Sequence, residues 1–277
     1  MARIALCVEY DGSRYHGWQT QQEGVDTVQL RVEQALSQVA NHKVMVVCAG
    51  RTDKGVHATG QIVHFDSDAE RTMKAWVCGG NSNLPDDICL RWAAPVSDDF
   101  HARFKAMARS YRYVILNRPV RPALLRDKVT WTWRPLEIEP MQEASQLLLG
   151  THDFSAFRGI DCQAKSPIKT MHSIDWRRQG EWLVLDIRAN AFLQHMVRNI
   201  AGVMMEIGAG KKPVKWAKDV LDSRDRTCGG VTAPPFGLYL TQVDYPDEFV
   251  LPRERYWPEW LPEALINGWQ KVGSVEC

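Results

Sequence analysis

Apolar and polar positions change period along this chain, and each change marks an element. Ala2 to Tyr10 alternates with a period of two, which predicts a strand with one buried face. From Thr27 to Val39 the apolar residues Val28, Val32, Ala35, Leu36 and Val39 share one helical face, and Asp26 or Thr27 can cap it. Two short apolar runs follow, Val44 to Val47 and Gln61 to Phe65, both readable as strands with a charged turn between them. Thr72 to Asn83 predicts a weaker helix and Ile88 to Pro95 another strand. This β-α-β-β-α-β order is that of a ferredoxin-like unit, a layout shared by many RNA-binding modules.

A second run of similar order begins at Lys105. Lys105 to Leu116 predicts a long strand and Ile138 to Leu149 a helix stopped by Gly150. Thr170 to Trp176 and Trp182 to Ala189 predict a hairpin across Arg178, Gln179, Gly180 and Glu181. Gln194 to Ile207 predicts a helix with Met196, Val197, Ile200, Val203 and Met204 inward, ended by Gly208 and Gly210. Val214 to Leu221 adds a helix, and Leu238 to Asp244 closes as a strand. The expected class is α+β: two ferredoxin-like (RRM-like) halves, residues 1–104 and 105–245, forming an extended, mostly antiparallel sheet. Its helices lie on one face and a cleft lies between the halves. Residues 246–277, rich in Trp, Pro and Glu, are expected to pack on the surface.

Composition narrows the class further. An apolar content of 45% supports a core, and 24% charged residues is ordinary for a soluble protein. No apolar run approaches membrane-spanning length. The start, MARIALCVEYDG, turns polar too early for a secretory signal. The seven cysteines are widely spaced and form no C-x-x-C pair, so a zinc site or disulfide framework is not indicated. Reduced thiols and a cytoplasmic address follow. The eight histidines show no metal-ligand spacing, so no metal is expected.

The net charge of +1 hides a concentration. Arg103 to Arg134 holds nine basic residues against the single Asp127, a formal +8, with Tyr111, Tyr113, Trp131 and Trp133 interleaved. Asp66 to Asp99 reverses the balance, with seven acidic residues against three basic. Cations beside flat rings suit nucleic acid, phosphates at the cations and bases at the rings. The same pattern also fits a solvated strand face.

The densest chemistry is AGRTDKGVHAT, Ala49 to Thr59. Asp53 stands between Arg51 and Lys54, Gly50 and Gly55 bracket the turn, and His57 lies just beyond. A carboxylate near cations stays ionised and serves as nucleophile or base. By residue type alone the turn reads equally as a solvated loop with an Asx bond. His57, as a loop histidine, is assigned a structural role.

This segment resembles the catalytic-aspartate motif of the tRNA pseudouridine synthase A family, G-R-T-D-x-G-V-H-A. Five further blocks resemble that family in its order: YDGSRYHGWQ from Tyr10, SYRY from Ser110, DFSAFR from Asp153, KSPIKT from Lys165 and NAFLQHMVRNIAG from Asn190. Ala191 stands where the family more usually has glycine. The resemblance implies an isomerase that converts uridine to pseudouridine at positions 38–40 of the tRNA anticodon stem-loop. It implies a homodimer with one RNA touching both subunits, and no cofactor. It assigns catalysis to Asp53, stacking on the target uracil to Tyr111, pairing with Asp53 to Arg198, and RNA contact to Arg51. The rival reading is a non-catalytic RNA-binding module or RNA chaperone, which keeps the basic stretch but has no use for Asp53.

Overall fold

In the computed structural model, residues 1–22, 24–252, 254 and 256–266 are described. Strand β1 (Ala2–Tyr10) lies between β4 (Ile88–Val96) and β3 (His57–Ser67), antiparallel to both. Because β1 takes one edge of β3, the other edge remains for two partners. The short β2 (Val47–Cys48) pairs there at Val63 and His64, and β10 (Leu238–Asp244) pairs in parallel at His57 and Ala58. β10 continues into the second half through β5 (Ala108–Asn117), β9 (Trp182–Ala189), β8 (Ile168–Gln179) and β7 (Gly150–Asp153). β6 (Thr130–Thr132) runs parallel to β5 off this path. Among the described residues the sheet has ten strands, and the order β4-β1-β3-β2 toward one end repeats as β10-β5-β9-β8 toward the other.

The longer helices among the described residues are α1 (Val28–Ala40), α2 (Met73–Asn83), α3 (Ile138–Gln146), α4 (Met196–Gly208) and α5 (Trp216–Ser223). Their apolar stripes share one core with Ile4, Leu6 and Val8 of β1 and Tyr111, Tyr113 and Ile115 of β5. Thr27 caps α1 by accepting from the Leu30 N–H, and Thr72 caps α2 by accepting from Ala75. Alternation sends Ala5 and Cys7, and Val114 and Leu116, to the opposite face.

The described part of the 246–277 segment packs on that opposite face of the sheet. Phe249 and Leu261 are buried against the sheet, as is Leu265 of the short α6 (Glu263–Ile266). Tyr256 lies under the Arg91 guanidinium of β4 at 4.0 Å, and Trp257 under that of Arg112 in β5 at 4.3 Å. The Thr59 hydroxyl of β3 donates to Tyr256 O at 2.7 Å. The segment therefore straps both halves across the back of the sheet. Cys277 lies outside the described residues.

Of the run Val44 to Val47, only Val47 joins the sheet, in β2, and the residues before it are held by α1. The Val44 N–H donates to Ser37 Oγ and the Val46 N–H to Glu33 Oε1, so side chains of α1 take the bonds a neighbouring strand would supply. β5 starts at Ala108, later than the apolar pattern suggested, and α4 starts at Met196. β6 and β7 are too short to show a period. No helix among the described residues is long and apolar enough to cross a membrane.

Candidate active site

The loop between β2 and β3 opens where β2 and β10 diverge along the edge of β3. Its base is closed by Gln61, whose side chain accepts from the Gly50 N–H and donates to the Gly50 carbonyl. Its far end is a turn in which the Val56 N–H donates to Asp53 O at 3.1 Å, with Gly55 at φ +78°. Beneath it, Thr52 Oγ1 bonds the Tyr10 hydroxyl at 2.8 Å, and Thr52 O accepts from the Trp18 N–H at 3.0 Å. Gly17, at φ +93°, lets the opening loop lie on that carbonyl, since a Cβ there would stand 2.6 Å from Thr52 O. The YDGSRYHGWQ block is thus the bed of the Asp53 loop.

His57 anchors the exit from the loop. Its ring stacks on Tyr239 at 4.6 Å, its Nδ1 lies 3.1 Å from the Gly12 N–H and 3.0 Å from Asp11 Oδ1, and its Nε2 meets Phe236 O at 3.0 Å. Asp11 also pairs with Lys128. Burial pushes the Asp11 carboxyl up, but hydrogen bonds from His57, Lys128 and Ser13 outweigh it and hold the group well below the usual carboxylate range.

Asp53 is met by the first turn of α4. Arg198 Nη1 donates to Asp53 Oδ2 at 3.3 Å, while Arg198 Nε donates to Ala233 O at 2.8 Å. The Ala233 N–H returns a bond to Arg198 O at 3.1 Å, so the strand-like segment before β10 fixes the arginine at both ends. Arg198 therefore does not extend to solvent, as an arginine on an apolar helix often does. Tyr111 is buried on β5, with its hydroxyl beside Gly50: a Cβ there would stand 3.7 Å away. Burial pushes that hydroxyl up. Arg109 opposes the shift and the nearby Asp53 charge adds to it, so Tyr111 stays protonated at neutral pH. Phe192 meets the Tyr111 ring edge to face at 5.0 Å.

Asp53, Arg198 and Tyr111 thus come together from three separate stretches of chain. Arg51 is exposed and shows no hydrogen bond or ion pair to a described residue. The sequence reading missed two neighbours of the site, Phe192 and His195. His195 Nε2 lies 3.5 Å from Asp53 Oδ2. Its signal was its place in the NAFLQHMVRNIAG block, three residues before Arg198, although it stands at the N-cap of α4 and not within the helix.

The basic stretch is not a single face. Arg112 is fully buried and bonds Asp186 at 2.7 and 3.0 Å, and Arg109 is spent on the carbonyls of Ala49, Arg103, Ala106 and Asn190. Tyr113 is likewise buried, its hydroxyl donating to Pro234 O at 2.8 Å. Trp133 is exposed, with Arg134 over its ring at 5.4 Å. Arg121, Arg126 and Lys128 line a hollow of about 340 Å³ with Asp11 and Ser13.

A family model described as tRNA pseudouridine synthase matches residues 6–105 and 144–246. Three relatives bear the name tRNA pseudouridine synthase A. The one from Alcanivorax borkumensis is 63% identical over 265 residues, covering 96% of this chain and 99% of its own. The one from Pseudomonas aeruginosa is 60% identical, covering 94% and 92%. The one from Nitrosococcus oceani is 58% identical, covering 91% and 96%. A chain of a solved Cbf5-Nop10-Gar1 complex aligns with a TM-score of 0.33 at 9% identity, over 85% of this chain and 57% of that one, too distant a likeness to carry an inference. With matched segments that cover most of the chain and contain Asp53 and Arg198, and relatives of that name 58% to 63% identical over nearly its whole length, the chain belongs to the tRNA pseudouridine synthase family.

Proposed function

We propose that Asp53 is the single catalytic carboxylate of this tRNA uridine isomerase, acting on positions 38–40 of the anticodon stem-loop. The observation that carries the reading is the 3.3 Å bond from Arg198 Nη1 to Asp53 Oδ2. An ion pair at a loop tip, fixed from a helix far along the chain, holds the carboxylate in one orientation. A module that only bound RNA would gain nothing from it.

The reaction breaks the bond from uracil N1 to ribose C1′ and forms one from C5 to the same carbon. One proton leaves C5 and one is gained at N1, so atoms balance without a cofactor. A base inside a stem is out of reach, so the target nucleotide flips into the site. Asp53 supplies the nucleophile or base, Tyr111 stacks on the uracil, Arg198 orients Asp53, and Arg51 contacts RNA at the rim. Phosphates are taken by exposed cations such as Arg121 and Arg126 around the basic hollow. The repeated strand order supports two ferredoxin-like halves. A cytoplasmic homodimer binding one RNA across both subunits completes the reading.

The test is incubation of the protein with uridine-labelled transfer RNA, followed by chemical labelling of pseudouridine. The wild type should convert uridines at 38–40. Asp53→Asn should bind RNA and convert none, and turnover by that folded variant would remove Asp53 from the chemistry.

A further inference from the structure

Asp53 uses its two carboxylate oxygens unequally. Oδ2 faces Arg198 Nη1 at 3.3 Å and His195 Nε2 at 3.5 Å, whereas no hydrogen bond from a described residue reaches Oδ1. His195 comes to that oxygen from an uncommon backbone. It stands at the N-cap of α4 with φ +61° and makes no side-chain cap bond. The other non-glycine residues with positive φ among those described, Asn41 and Arg224, are helix C-caps, where a left-handed residue closes the last turn. An N-cap is normally extended and carries a short oxygen side chain. His195 lies in the turn closed by the Met196 N–H on Leu193 O at 3.1 Å, and its own carbonyl accepts the Asn199 N–H at 2.8 Å, but a left-handed histidine there still costs free energy, and strain of that kind gathers at functional sites.

The surroundings are shaped to the imidazole. The Gly159 N–H donates to Gln194 O at 2.8 Å, and the Gln194 N–H reaches Cys162 Sγ at 3.4 Å. A Cβ on Gly159 would stand 3.0 Å from His195 Nδ1 and 3.2 Å from Gln194 O, so a side chain there would crowd the ring. The His195 side chain keeps 32% of its surface exposed.

We propose that His195 is a positioning residue for the reaction: it donates from Nε2 to Asp53 Oδ2 and, with Arg198, fixes the carboxylate so that Oδ1 is presented to the uridine. The inference rests on the reading of Asp53 as the catalytic carboxylate. The terminal torsion of an aspartate is broad, and one donor leaves it free to swing. A second donor on the same oxygen narrows the swing and holds the other oxygen in reacting geometry. The neutral tautomer with a proton on Nε2 suffices, and no proton passes through His195.

The test compares three full-length variants at saturating transfer RNA. Glycine accepts the left-handed backbone at no cost, so His195→Gly removes the donor without straining the fold. It should lower kcat roughly 10- to 100-fold, leave KM for transfer RNA unchanged and leave the melting temperature no lower. His195→Gln, which keeps an N–H donor of similar reach, should recover much of the lost kcat. Wild-type kcat in the glycine variant would overturn the proposal. So would equal impairment of the glycine and glutamine variants, or a kcat loss matched by a fall in melting temperature. Asp53→Asn, measured alongside, separates the two readings. Turnover by it defeats the catalytic carboxylate itself. An inactive Asp53→Asn beside a fully active His195→Gly defeats the role of His195 alone.

Discussion

Asp53 and Arg198 are 145 residues apart in the chain and 3.3 Å apart in space. The parallel pairing of β10 with the start of β3 makes the contact possible, because it brings the Asp53 loop beside the segment that holds Arg198 through Ala233. Arg198 spends one nitrogen on each partner.

Replacing Arg198 with Lys should therefore fail nearly as fully as replacing it with Ala. A single ammonium lacks the fork that reaches the Ala233 carbonyl and the Asp53 carboxylate together. Turnover at saturating RNA should fall in both variants. The salt dependence of RNA binding should not move, whereas loss of a true phosphate contact lowers the log–log slope by roughly 0.7–0.9. A flattened slope with intact turnover would make Arg198 a phosphate ligand.

Tyr111 carries two roles that must be separated. It is buried in the shared core as well as adjacent to Asp53. Tyr111→Phe should keep the melting temperature and most RNA affinity. Tyr111→Ala should lose about 1–3 kcal/mol of stacking and also about 3–5 kcal/mol of fold stability from the cavity left behind. Melting and affinity measured on the same samples distinguish these losses. Equal RNA affinity in the two variants would assign the role to the hydroxyl or to packing.

Arg112 is expected to matter for folding and not for RNA. It pairs with the buried Asp186, which Arg177 also contacts, and Trp257 covers its guanidinium. Arg112→Ala leaves that carboxylate without its main partner and should cost about 3–5 kcal/mol in chemical denaturation. Arg121→Ala, at the exposed hollow, should do the opposite: no loss of stability and a flatter salt slope.

Stability should fall on mild acidification through His64. Burial pushes its imidazole down to about 4, with His101 adding to the shift, and its Nδ1 accepts the Ala102 N–H at 3.1 Å. An unfolded histidine titrates near about 6.5. Between these values the unfolded chain binds the proton and the folded chain does not. The contribution of His64 is therefore complete above the higher value and is lost progressively as pH falls to the lower. His64→Asn can keep an acceptor for Ala102 but cannot be protonated, so its melting temperature should drop less than that of the wild type between the two pH values.

Much of the fold was legible in the chain because period-two and helical patterns record which face of each element meets the core. The strands at Ala2, Ile88, Trp182 and Leu238 and the faces of α1 and α4 followed from local spacing alone. Asp53 stood out because its motif is local: the turn, the glycines and the flanking cations are neighbours in sequence. Long-range contacts left no such trace. Nothing near Val44 or Val46 indicates that α1 side chains take their N–H groups. Nothing near Arg112 marks it as the buried partner of Asp186, so charge counting alone put it on an RNA-facing surface. The strap from Phe249 to Leu265 was equally hidden, because its partners are side chains on the back of the sheet. His195 is the sharpest case. Its type and position are plain in the sequence, but its contact with Asp53 needs the left-handed backbone at the start of α4, which only the packing of Gly159 and Gln194 against it supports. Local chemistry singled out Asp53, and tertiary packing decided which side chains stand around it.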